Sequence, residues 1–170
     1  MLTRRKWLLF GLFAVGLVAG YVVVGFGEEG RIVDVMRELL HAAELKPGEP
    51  ANARKARIAA SFAEHLEPDV RLDIPELPQP ARGRAAVEAL ALALAQSYTS
   101  VRFKIEQTEI RGRTDGADVS SSITLFAADR ESELRDTRQV TLAFTGSGGG
   151  LRVAAVSVGP RSREEPEARP

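Results

Sequence analysis

Residues 101–144 read VRFKIEQTEIRGRTDGADVSSSITLFAADRESELRDTRQVTLAF, and the period of that stretch decides the fold. Val101, Phe103 and Ile105 alternate with Arg102, Lys104 and Glu106, the period of two that a half-buried strand requires. Thr114, Asp115 and Gly116 read as a tight turn. Val119, Ser121, Ile123 and Leu125 resume the alternation, a charged turn follows over 129–132, and Val140, Leu142 and Phe144 alternate again. Beyond a glycine-rich turn at 146–150, Leu151, Val153 and Ala155 close the set. The pattern predicts four long antiparallel strands in a meander, apolar on one face and polar on the other.

Upstream the period changes to 3.6. Ile32, Met36, Leu39, Leu40 and Ala43 form one apolar stripe and predict a helix over 29–45. Residues 46–50, KPGEP, stop it. A second helix over 51–66 places Ile58, Phe62 and Leu66 on one face, and Pro68 ends it. Residues 70–74, VRLDI, alternate as a short strand, and the prolines at 75, 78 and 80 make the following segment irregular. A third helix after Gly83 runs to about residue 98, with Val87, Leu90, Ala91, Leu94 and Tyr98 in register. Three helices over the apolar face of a sheet make an α+β domain.

At the N-terminus, residues 7–26 (WLLFGLFAVGLVAGYVVVGF) carry no charge and follow Arg4, Arg5 and Lys6. At about 1.5 Å per residue such a helix reaches roughly 30 Å, the thickness of a hydrocarbon core. The expectation is a retained signal anchor: residues 1–6 cytoplasmic, 7–26 transmembrane, 28–158 a periplasmic or otherwise extracytoplasmic domain, 159–170 a disordered polar tail. A cleaved signal would have a shorter apolar run than this. A twin-arginine signal, suggested by TRRKWL at 3–8, is the third reading. A domain facing the cytoplasm would break the positive-inside rule.

The chain holds 23 basic and 23 acidic residues. Setting aside Arg4, Arg5 and Lys6, 20 basic stand against 23 acidic, which argues against a nucleic-acid partner. There is no cysteine, hence no disulfide or thiolate metal site. His41 and His65, each near a helix end, lack metal-ligand spacing, so no metal and no cofactor are expected. Ser120, Ser121 and Ser122 lie within a strand rather than on a nucleophile elbow. The glycines at 146–150 join two strands and do not form a phosphate cradle. The charged run 129–136 reads as a solvated hairpin end.

The order helix, helix, short strand, helix, four long strands resembles the NTF2-like (SnoaL-like, ketosteroid-isomerase-like) cone. FAEHLEPDVRL at 62–72 is similar to the family's entry into its first strand, and RGRAAV at 82–87 to the start of its third helix. The resemblance implies an α+β cone, three helices on a curved, mostly antiparallel sheet, here behind one transmembrane helix. It is poor for function, because this fold hosts enzymes, binding modules and assembly subunits alike. Members with one N-terminal membrane helix include envelope-assembly subunits such as Mce-associated proteins.

By the same resemblance, an isomerase-type general base would fall near Asp73, although alternation with Leu72 and Ile74 can turn it outward. The family's oxyanion-stabilising tyrosine aligns near Met36, which cannot donate a hydrogen bond. Its buried acid falls among residues 140–144, where no carboxylate exists. Isomerase chemistry is thus disfavoured. Phe62 and Phe103 belong to an interior stripe that reads first as packed core, and Tyr98 and Gln107 are the polar groups expected at a pocket. The resemblance makes the outer sheet face, with Thr124, Phe126, Thr141 and Ala143, the expected homodimer surface. Two functions follow as expectations. The first is a non-enzymatic, membrane-anchored binding or assembly module with an envelope partner. The second is a SnoaL-like small-molecule binder or enzyme using the cone cavity.

Overall fold

The computed structural model describes residues 27–46, 48–129 and 132–161. The expected anchor at 7–26 and most of the expected tail lie outside the described residues. Among the described residues, no helix is long and apolar enough to cross a membrane. The elements run α1 (Glu28–Ala43), α2 (Ala51–His65), β1 (Leu66–Asp73), β2 (Ala81–Arg82), α3 (Arg84–Ser97), β3 (Ser100–Arg113), β4 (Gly116–Ala128), β5 (Glu133–Thr145) and β6 (Arg152–Arg161). One six-stranded sheet has the order β2-β1-β6-β5-β4-β3. The meander β3-β4-β5-β6 is antiparallel, and β1 joins β6 in parallel.

The predicted periods place the core. Ile32, Met36, Leu39 and Leu40 of α1, Ile58 and Phe62 of α2, and Val87, Ala91 and Leu94 of α3 are all buried. They meet Val101, Phe103, Ile105, Val119, Ile123, Leu125, Val140, Leu142 and Phe144 on the inner face of the sheet. Thr114 and Asp115 make the predicted two-residue turn between Arg113 and Gly116, which pair with each other. There the chains approach so closely that a Cβ on Gly116 would lie 2.0 Å from the Phe144 carbonyl oxygen.

Arg57 of α2 closes the end of α1. Its Nη1 donates to the carbonyls of His41 and Ala42, both at 2.6 Å, and its Nη2 to that of Glu44 at 3.1 Å. Those carbonyls are among the acceptors a helix end leaves without partners, and a cation there also suits the helix dipole. Glu49 grips the same guanidinium at 2.8 and 2.6 Å. The hydrogen bonds from Arg57, opposed by burial, hold the Glu49 carboxyl below its ordinary value of 4.5.

Three single-residue bulges, in β3 and β6, shape the sheet in ways the alternation did not predict, beside a larger slip between Leu66 and Arg71 of β1. In β3 the extra residue is Glu106, since Ile105 pairs with Ile123 but Gln107 with Ser122. In β6 the pairing slips at Ala154 and again at Gly159–Pro160. A bulge moves every later side chain to the opposite face and bends the strand. Past Ala154, therefore, Val156 and Val158 are buried, and Ala155, expected inward, pairs with Ala143 on the outer face. Strand β6 also continues to Arg161, beyond the expected domain end at 158.

Candidate functional site

The two faces of the sheet offer two different sites. On the inner face, Phe62 is packed in the core with Met36, Ile58, Leu94 and Phe144. All five are 0–1% exposed, which leaves no water-sized void against them. Phe103 is buried at the margin of this core, and Tyr98, the residue after α3, packs partly buried against it. Gln107, expected at a pocket, is exposed instead. The bulge at Glu106 turns it outward beside Ser122, and Thr108 takes the inward position. Fully buried Ser121 stitches this bulge, donating to the Gln107 carbonyl at 2.8 Å and lying 3.0 Å from the Thr108 hydroxyl.

Asp73 does not enter the cone. Leu72 and Ile74 point inward, so Asp73 lies on the outer side, half-exposed, with its carboxylate 3.3 Å from Arg71 Nη2. A carboxylate there lies outside the enclosed space in which a substrate held by the cone would sit.

The interior charge lies elsewhere, on residues the sequence reading passed over. Arg138 of β5 is 0% exposed. Its Nη1 donates to Glu76 Oε1 at 2.7 Å and to the Gly159 carbonyl at 3.4 Å. Its Nε and Nη2 both reach Asp136 Oδ2 at 3.3 Å. Asp136 is itself buried, which corrects the view of 129–136 as a wholly solvated run. It also supplies a buried inward acid on the late strand, four residues before the 140–144 window. The signal was available: Asp136 and Arg138 continue the parity of Val140, Leu142 and Phe144. Charge argued for solvent, while strand parity argued for the interior and prevailed.

The outer face reads as rows across the strands. Arg102, Phe126 and Arg135 form one row, and Lys104, Thr124 and Thr137 the next. Then come Gln107, Ser122 and Gln139, followed by Glu109, Ser120, Thr141 and Ser157. Phe126 is 38% exposed, the large apolar side chain left in solvent among the described residues. The Arg135 guanidinium sits 5.9 Å from its ring centroid, a cation–π distance. A groove of ≈ 670 Å³ opens here, lined by Phe126, Arg102, Arg135, Phe103 and Leu134 among others. Thr141 is exposed as expected for a surface position. Thr124 is not: at 1% exposure it is buried, its hydroxyl 2.8 Å from that of Thr137. The inter-strand hydrogen bond takes up the group expected to meet a partner.

His65, expected to be partly exposed, is buried, with Nε2 2.6 Å from Glu38 Oε2 of α1. Among the described residues, no group of three His, Asp or Glu side chains is arranged to hold a metal.

No family model matches the chain, and no curated protein matches its sequence. Solved structures do. An NTF2-like superfamily protein from Salmonella enterica superposes with a TM-score of 0.62 at 11% identity, covering 83% of this chain and 96% of that one. The CaMKII hub of S. rosetta gives 0.60 at 12% identity, over 83% of this chain and 100% of the hub. A candidate aromatic ring hydroxylase from Novosphingobium aromaticivorans gives 0.63 at 11% identity, over 79% and 92%. The fold is NTF2-like. At these identities the likeness concerns the fold alone. The NTF2-like neighbours carry names as different as a hub and a hydroxylase, so function has to be argued from this chain's own surfaces.

Proposed function

We propose that this chain is a membrane-anchored, NTF2-like assembly module outside the cytoplasm, whose outer sheet face seats a second copy of itself. The observation that carries the reading is Phe126, exposed between Arg102 and Arg135 at one end of a face whose middle is uncharged. The row Gln107–Ser122–Gln139 and the adjoining Ser120, Thr141 and Ser157 hold only hydroxyls and amides, while Lys104 and Glu109 stand to either side on the edge strand β3. Removing ions from water costs several kcal/mol each. A centre without ions can be covered by a partner at low cost, with aromatic and arginine anchors supplying the gain. Support for the anchor comes from the uncharged run at 7–26 behind Arg4, Arg5 and Lys6, and the charge rule favours a domain on the outer side. The tight packing around Phe62 and the outward Asp73 favour a non-enzymatic role.

The test is the mass of the detergent-solubilised full chain by sedimentation equilibrium. Wild type should be dimeric, and Phe126→Lys, which sets a third cation between Arg102 and Arg135, should weaken association at least about tenfold. A monomeric wild type, or a Phe126→Lys dimer of unchanged strength, defeats the reading. The alternative, a small-molecule binder or enzyme using the cone, has one observation in its favour, the buried charges around Arg138. On that reading Arg138→Met abolishes ligand binding while Asp73→Asn leaves it intact.

A further inference from the structure

The outer sheet face carries a charge pattern that fits a second copy in one orientation. Its three middle rows run Lys104–Thr124–Thr137, Gln107–Ser122–Gln139 and Glu109–Ser120–Thr141–Ser157. The two charges in these rows are opposite in sign, and both stand on β3, one on each side of the neutral row. The Lys104 side chain is 63% exposed and that of Glu109 64%. Each has a neighbour on its own strand, Glu106 at 3.2 Å from Lys104 and Arg111 at 2.9 Å from Glu109. Exposed pairs of this kind contribute little, so they do not keep either side chain from meeting a partner.

Two identical faces can meet about either of two axes lying between them. An axis parallel to the strands lays each row over the same row of the partner, where Lys104 and Glu109 meet only hydroxyls or a charge of their own sign. An ion covered without an opposite charge costs several kcal/mol. An axis across the strands, through the Gln107–Ser122–Gln139 row, exchanges the rows on either side of it. Lys104 then lies over the partner's Glu109, and Glu109 over the partner's Lys104, so one symmetry operation makes two complementary contacts. The same operation sets the Phe126 row over the partner's row of Arg111, Asp118, Ala143 and Ala155. There the two alanines leave room for the ring, and a carboxylate faces the end that Arg102 and Arg135 flank. Arg111, which meets Arg102, is already balanced by Glu109.

We propose, resting on the assembly reading above, that two copies pair face to face about a two-fold axis across the strands, fixed by reciprocal Lys104–Glu109 contacts. Gly27 lines a groove with Gly112, Gly116 and Gly146, at the end of the sheet away from Phe126. The axis therefore sets the two Gly27 residues at opposite ends of the paired faces, and both chains reach one bilayer when the axis runs along its normal.

Mixing two charge variants of the full chain in detergent, followed by sedimentation equilibrium, tests the orientation. Lys104→Glu alone and Glu109→Lys alone each set like charges together at both contacts, and each should associate at least about tenfold more weakly than wild type. An equimolar mixture sets opposite charges together at both contacts, and should regain wild-type strength to within about threefold. Where either variant disturbs the far-UV circular dichroism, Lys104→Gln and Glu109→Gln keep the same logic, since only the mixed pair leaves neither charge unmatched. Single variants as strong as wild type, or a mixture no stronger than its parts, overturn the orientation while the wild-type dimer stands. A monomeric wild type defeats the assembly reading and the orientation with it.

Discussion

Arg138→Met tests the buried cluster most sharply. The substitution keeps much of the side-chain volume and removes the charge that holds Glu76 at 2.7 Å and Asp136 at 3.3 Å. Asp136 is 5% exposed, and Glu76 Oε2 is buried without a hydrogen-bond partner in the structure. The guanidinium is therefore the main compensation for Glu76. Removing one member of a buried ion pair costs about 3–5 kcal/mol, a large part of the roughly 5–15 kcal/mol that stabilises a domain of this size. With a urea slope of about 2 kcal/mol/M, the unfolding midpoint should fall by about 2 M. Far-UV circular dichroism of the full chain in a mild detergent follows the transition. Glu76→Leu supplies the control. Combined with Arg138→Met it should cost less than the two single losses together, by roughly 1.5–3 kcal/mol, because neither variant then leaves the other's charge buried. An Arg138→Met loss below about 1 kcal/mol, or losses that add within about 0.5 kcal/mol, would refute this account of the cluster.

Three further outcomes are expected. Arg57→Ala should cost about 2 kcal/mol at neutral pH, because three carbonyls at the end of α1 and the Glu49 carboxylate lose a charged donor. Glu49 has a lowered pKa in the folded chain. Its part of that stability is therefore complete above pH about 4.5 and lost as pH falls through the lowered value, so the gap between variant and wild type should narrow in acid. Gly116→Ala should lose about 2–4 kcal/mol in the same urea assay, since the Phe144 carbonyl 2.0 Å from the new methyl is backbone and cannot yield. At the β3 bulge, Ser121→Ala should cost about 1–2 kcal/mol and Gln107→Ala less than about 0.5 kcal/mol. The opposite order would mean that Gln107, not Ser121, faces the interior.

The α+β class, the three helices and the four meander strands were legible because each rests on a local period. Ile32, Met36 and Leu39 repeat as a helix must to bury one side, and Val101, Phe103 and Ile105 repeat as a strand must. The joining of β1 to β6 in parallel was not legible, because no local pattern encodes which distant strand becomes a neighbour. Nor were the bulges at Glu106, Ala154 and Gly159–Pro160. Each adds one residue to one strand, and only the partner strand shows the excess. The extra residue at Glu106 moved Gln107 out of the interior, and the one at Ala154 moved Ala155. Asp136 and Arg138 show the same division from the other side. Their parity placed them inward, but a buried charge is affordable only where an opposite charge meets it, and Glu76 is 62 residues away from Arg138. The sequence by itself determined which side of each helix and strand turns from water, since that follows from periods of 3.6 and 2. The tertiary structure alone decided where strands slip and which charges meet inside, since both depend on partners distant along the chain.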